Sequence, residues 1–185
     1  MVETQIDTDY GDGGAGNLVR YIDKERGLRN RHGGEMTEKE REAFVEKSRE
    51  HEFRRLITIS PGDGDRLSDR EINRRTRRTV SSFLQDRPSV DYCFAIHRDT
   101  EYHHAQVALT GKKRDLYMDR EDIEQVRERA CGQFPDLDQE RERTREQQRE
   151  RSLERALDRE VDREREQQRE RERERSREGS RGYSW

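Results

Sequence analysis

The chain has 185 residues, of which 26% are hydrophobic and 45% are Asp, Glu, Lys or Arg, so a single uniformly packed globule is excluded and part of the chain must be solvated. A formal net charge of -3 carries no global signature of nucleic-acid binding, and any such partner has to be argued from local patches. No apolar run is long enough to span a bilayer and no charged-then-apolar start resembles a signal peptide, so the expectation is a cytoplasmic protein without a membrane segment.

Residues 1–16 are polar and carry Gly11, Gly13, Gly14 and Gly16, which predicts a flexible N-terminal arm ending where Asn17 caps a helix bearing Leu18, Tyr21 and Ile22. Gly11, Gly13 and Gly16 fit the spacing of a dinucleotide-binding fingerprint, but no strand is expected before them and no βαβ unit around them. A loop is expected around residues 30–34. Thr37 with Glu40 forms a capping box for a helix to about His51, with Phe44 and Val45 inward.

Phe53 to Ser60 is β-branched, stops at Pro61 and Gly62, and reads as a strand. Ser68 with Glu71 opens a second capped helix to about Gln85, with an apolar stripe of Ile72, Val80 and Phe83. Val90 to His97 and His104 to Gly111 read as an antiparallel pair, and the segment around Leu116 to Met118 as a possible addition to the sheet. From Asp119 to about Ala130 acidic residues come early and arginines late, as a helix dipole prefers. The fold class is therefore α+β, an antiparallel β-sheet with packed helices, over 17–136.

The remainder, 137–185, is a Glu/Arg-rich tail whose opposite charges fall three or four residues apart and support a solvated helix, with disorder the alternative. Leu153, Leu157 and Val161 make a stripe too short for a coiled coil. The two cysteines, Cys93 and Cys131, lack partners at metal-ligand spacing and are expected as thiols, Cys93 filling space on a strand face.

Three of the five histidines fall in the eight positions 97–104. Strand alternation puts Cys93, Ala95 and His97 on one face, and His104 with Gln106 on a face opposite to Ala105, Val107 and Leu109. If the small-residue faces coincide, His97, His104 and Gln106 converge. Two imidazoles and an amide oxygen suit a divalent cation, magnesium or manganese rather than structural zinc, with positions left open for a phosphate. The bland alternative is a pair of strand histidines making ordinary hydrogen bonds. Asp99 suits the orientation of an imidazole and equally the capping of the turn. His103 points away from the metal face.

A tyrosine becomes nucleophilic where a cation stabilises its anion. Of Tyr10, Tyr21, Tyr92, Tyr102, Tyr117 and Tyr183, Tyr21 lies on an amphipathic helix flanked by Arg20 and Lys24, a position that by itself reads as core, and Tyr10 and Tyr183 fall in the ends of the chain.

Asn17-Leu18-Val19-Arg20-Tyr21-Ile22-Asp23-Lys24 resembles the first motif of the conjugative relaxases, the plasmid-mobilisation branch of the HUH endonuclease superfamily, in which the tyrosine of a VRYI or VKYI helix is the nucleophile. Arg54 to Gly62 resembles the family's strand running into Ser-Pro. His97-x-Asp99-Thr100-x-x-x-His104-x-Gln106 is similar to the third motif, H-x-D-T-x-x-x-H-x-H, with glutamine in place of the last histidine. The similarity covers roughly Asn17 to Leu116, and the tyrosine precedes the histidines, as in relaxases and unlike rolling-circle initiators.

The resemblance implies a relaxase fold in which Tyr21 is the catalytic nucleophile assisted by Asp99, with His97, His104 and Gln106 as metal ligands. It also implies single-stranded or locally melted DNA at an origin as substrate, and mobilisation accessory proteins as partners of the tail. Arg74, Arg75, Arg77 and Arg78, with Lys112, Lys113 and Arg114, are the candidate phosphate contacts. Two alternatives stand beside this reading: a non-cleaving DNA-binding accessory protein, and a rolling-circle replication initiator.

Overall fold

A computed structural model of the chain describes residues 4–24, 27–51, 53–98 and 103–181. Its sheet has five antiparallel strands, β1 Gln5–Asp12, β2 Arg29–Asn30, β3 Phe53–Ser60, β4 Asp91–His97 and β5 His104–Thr110, in the order β1-β3-β5-β4-β2. The helices are α1 Gly16–Ile22, α2 Glu38–His51, α3 Asp69–Phe83, α4 Lys113–Leu116, α5 Arg120–Gln133 and α6 Leu137–Arg181. The α+β expectation is met, with β5 at the centre of the sheet.

Each face of the sheet carries its own apolar cluster, a direct consequence of two-residue alternation. Ile57, Val107 and Phe94 stand in register across β3, β5 and β4 and pack with Ile72 and Val80 of α3 and Val126 and Ala130 of α5. At about 1.5–3 kcal/mol per fully buried large aliphatic or aromatic side chain, this face dominates the apolar stabilisation. On the opposite face Cys93, Ala95 and Ala108 pack against Val19 and Ile22 of α1 and Phe44 of α2. Cys93 fills space as expected, and burial pushes its thiol well above the ordinary value.

The helix starts follow their sequence signals. Thr37 N donates to Glu40 Oε2 at 2.8 Å while Glu40 N donates to Thr37 Oγ1 at 3.3 Å, and Ser68 with Glu71 is similarly reciprocal. A third box, Asp119 with Asp122, opens α5.

Residues 5–12 are not an arm but the edge strand β1, paired with β3 from Gln5↔Ser60 to Asp12↔Phe53. Their only strong apolar residue, Ile6, belongs to the main core, and Thr8 and Tyr10 follow it on the same face of the strand. The glycine fingerprint still fails, because the strand beside β1 is antiparallel. Asn17 lies inside the first turn of α1, whose N-cap is Ala15, with the Ala15 amide held by Ser48 Oγ at 2.8 Å.

The expected loop at 30–34 begins as strand β2, and Gly33 there has φ +86°, a conformation suited to glycine. A Cβ at Gly33 would also meet Asn73 Oδ1 at 2.4 Å. Leu116 and Met118 do not extend the sheet; they leave α4 as buried members of the main core.

The chain divides into two units, 1–137 and 138–185. The second consists of α6, in which Leu153, Leu157 and Val161 are exposed and charges pair at short spacing, as between Arg141 and Asp138. Among the described residues no helix is long and apolar enough to cross a membrane.

Candidate metal centre and nucleophile helix

The register of the central hairpin decides where the polar residues meet. His97 stands directly opposite His104, and Ala95 opposite Gln106, so all four side chains leave the sheet on one face. The His97 and His104 rings stack with centroids 5.3 Å apart and planes 13° from parallel. His97 is only 3% exposed, whereas His104 and Gln106 are half-buried. The small side chains of Ala95 and Thr58, flanking Gln106 on β4 and β3, leave its amide room.

Gln106 Oε1 is buried and has no hydrogen-bond partner among the described residues. Leaving such an acceptor unsatisfied costs about 1–3 kcal/mol. A buried oxygen lacking a donor, on the sheet face that carries two imidazoles, is chemically compatible with a divalent cation and equally with a structural strand pair. Among the described residues no group of three or more His, Cys, Asp or Glu side chains is placed to hold a metal. Asp99 lies outside the described residues, as do Thr100 and Tyr102.

The face that carries these three residues is the face that α1 covers. Val19 and Ile22 pack with Ala95 and Ala108, the residues beside Gln106 across and along the strands. Tyr21, between them in sequence, turns outward and is 50% exposed, with Lys24 Nζ 4.9 Å from its ring centroid. It is therefore not the core residue that helical position alone allows. It makes no hydrogen bond to His97, His104 or Gln106; what it shares with them is the sheet face. Tyr10 leaves the sheet on the other face, opposite Arg55, and Tyr183 lies outside the described residues.

Two fastenings around this site had no sequence signal. Arg41 of α2 grips Asp23 at 2.9 Å, fixing the end of the Tyr21 helix against α2. Arg98, immediately after His97, donates from Nε to Asp69 Oδ1 at 2.6 Å and from a terminal nitrogen to the Leu67 carbonyl at 3.3 Å. His103 turns away from the site as expected, its Nδ1 3.2 Å from the Gly64 carbonyl. Gly64 is required there, since a Cβ would meet the His103 carbonyl oxygen at 2.4 Å.

The arginines of α3 do not form one surface. Arg74 and Arg78 are exposed, but Arg75 is buried and donates to the Gln133 carbonyl at 2.8 Å, tying α3 to the end of α5. Arg77 donates to Asn73 Oδ1 at 3.0 Å and to the His32 carbonyl at 2.8 Å, fastening the 30–34 turn. The expectation of phosphate contact is therefore corrected at Arg75, where burial removes the guanidinium from solvent, and Arg77 is engaged structurally. Lys112, Lys113 and Arg114 are all exposed, Arg114 with a partner in Asp115 at 3.1 Å.

No family model, no curated protein and no solved structure matches the chain.

Proposed function

We propose that the chain is a metal-dependent relaxase, a site-specific single-strand DNA endonuclease that nicks at an origin of transfer through Tyr21. The observation that carries this reading is the in-register His97–His104 stack with the buried, unpartnered Gln106 Oε1, on the sheet face covered by the Tyr21 helix. The imidazoles and the Gln106 oxygen would hold magnesium or manganese, whose chemistry when bound is Lewis-acid polarisation of a phosphodiester.

Tyr21 Oη attacks phosphorus, the bond to the 3′ oxygen breaks, and the proton lost by the phenol balances the one gained by the departing 3′-hydroxyl. A 5′-phosphotyrosyl adduct results, and the exchange of one ester for another makes the step reversible. Lys24 lies over the Tyr21 ring, and the half-exposed ring leaves room for a DNA strand. Asp99 is assigned to orienting an imidazole. Arg74, Arg78, Lys112, Lys113 and Arg114 are the exposed candidates for phosphate contact, and α6 for contact with accessory proteins of plasmid mobilisation.

A second reading, a DNA-binding accessory protein that does not cleave, is favoured by Gln106 standing where the resembled motif has a histidine, and by a Tyr21 ring that is 50% exposed. Labelled single-stranded origin oligonucleotides, incubated with manganese or chelator and resolved on a denaturing protein gel, separate the two. A manganese-dependent adduct absent in Tyr21→Phe and His104→Ala supports the nuclease. DNA binding without an adduct on any origin strand supports the accessory protein.

A further inference from the structure

The far end of the sheet, on the opposite face from the histidines, carries an aromatic and cationic cluster of which the proposed cleavage reading uses only the two lysines, as phosphate contacts. Tyr10 of β1, 37% exposed, stacks on Phe53 of β3 with centroids 5.9 Å apart and planes 14° from parallel. Lys113 Nζ lies 5.1 Å from the Phe53 ring centroid, with Lys112 exposed beside it. Tyr117, just beyond α4, is 57% exposed, its carbonyl held by Arg87 at 2.7 Å.

Beneath the Tyr10 ring lies Arg55, its guanidinium carbon 5.2 Å from the ring centroid. Arg55 is only 5% exposed, and its one hydrogen bond is to a neutral group, Thr8 Oγ1 at 3.0 Å. It forms no ion pair among the described residues, and its Nε is buried with no hydrogen-bond partner there. Burial makes this cation costly to desolvate, Asp122 offsets it only through space, and it lies at the foot of an exposed ring.

We infer that this cluster is a second nucleic-acid contact, a platform on which a base of single-stranded DNA stacks against Tyr10 while the exposed Lys112 and Lys113 face its phosphates. Each feature matches that ligand. An exposed ring held rigid by a neighbouring ring accepts a base with little loss of freedom, and the stacking tolerates any sequence. The two exposed lysines supply the attraction that a polyanion requires, with the Arg55 guanidinium behind the ring. The choice of DNA rests on the proposed nuclease reading; the choice of a single strand rests on the rings, because paired bases offer no open face.

The platform is roughly 20 Å from the histidines along β5, at ~3.4 Å per residue from His104 to Thr110. A strand engaged at both places crosses the sheet edge, so the platform grips DNA outside the cleavage point.

The test is fluorescence anisotropy of the full chain with a labelled oligothymidylate in chelator, so that binding is read without cleavage. Tyr10→Ala should weaken binding about tenfold or more, as loss of one stacked base does, while Tyr10→Phe retains it. Lys112→Ala with Lys113→Ala should lower the salt dependence of binding by one to two phosphates' worth, a slope change of about 0.7 per contact. Unchanged affinity in folded Tyr10→Ala would overturn the platform, as would preference for duplex over single strand. If Tyr10→Ala does not fold, an unaltered salt slope in the lysine variant overturns it instead. Failure of the adduct assay leaves this result intact, so the two readings fail separately.

Discussion

The two faces of the sheet are built from the same strands and end in opposite conditions. Beneath α3 and α5 the face is mostly apolar, with Ile57, Val107 and Phe94 in register, the buried Arg75 hydrogen-bonded to the end of α5, and Arg55 and Thr76 each burying a polar atom that has no hydrogen-bond partner among the described residues. Beneath α1 and α2 the same strands present Cys93, Ala95 and Ala108 and then stop being apolar, at His97, His104 and Gln106. One face buries the larger apolar core; the other gives up apolar packing at its open end, where two histidines and Gln106 replace aliphatic side chains. A polar end retained on an otherwise apolar face points to a ligand.

The largest expected effect separates chemistry from stability. Tyr21→Phe should remove the DNA adduct entirely while leaving the thermal midpoint within about 1–2 °C, because its ring is half exposed and surface changes fall within ~0.5 kcal/mol. A gel and a melting curve on the same preparation read both. Next comes the mostly apolar face. Phe94→Ala should destabilise the 1–137 unit by about 3–5 kcal/mol, measured by urea unfolding, since Phe94 is fully buried in the larger core.

Much of this contrast was legible in the sequence. The alternation of Ala105, Val107 and Leu109 against His104 and Gln106 assigned faces correctly, because a strand's two-residue period leaves no freedom once one face is apolar. The boxes at Thr37 and Ser68 marked helix starts through local hydrogen bonds that short spacing fixes. Strand β1 escaped because an edge strand buries little, and Ile6 alone was too weak a signal among polar neighbours. The loss of Arg75 from the basic surface escaped for another reason: helical spacing places an arginine on a face, but only tertiary packing says what covers that face. Arg55 reads in sequence as an outlier in a strand, and its position under Tyr10 depends on the pairing of two strands 45 residues apart in sequence.

Smaller effects sharpen the comparison. Ser68→Ala should cost about 1 kcal/mol by loss of the α3 cap. Acid should act through the same carboxylates. The Ser68 hydroxyl and backbone amide hold Glu71 below the ordinary carboxylate range, and the Ser89 hydroxyl does so for Asp115. Folded values lower than unfolded ones mean stabilisation that is present above the ordinary range and lost as pH falls through the depressed values. Melting curves should therefore fall in acid, and less steeply in Ser68→Ala and Ser89→Ala; parallel curves would remove this assignment.

The most direct test of the polar face is the thermal midpoint of the full chain and of Gln106→Leu, each with chelator and with manganese. The account predicts that manganese raises the wild-type midpoint. It predicts that Gln106→Leu, relieved of an unsatisfied buried oxygen, melts higher than wild type in chelator and gains little from manganese. A wild type indifferent to manganese, with Gln106→Leu melting lower in chelator, would contradict the account and make the histidine stack and its glutamine part of the packing.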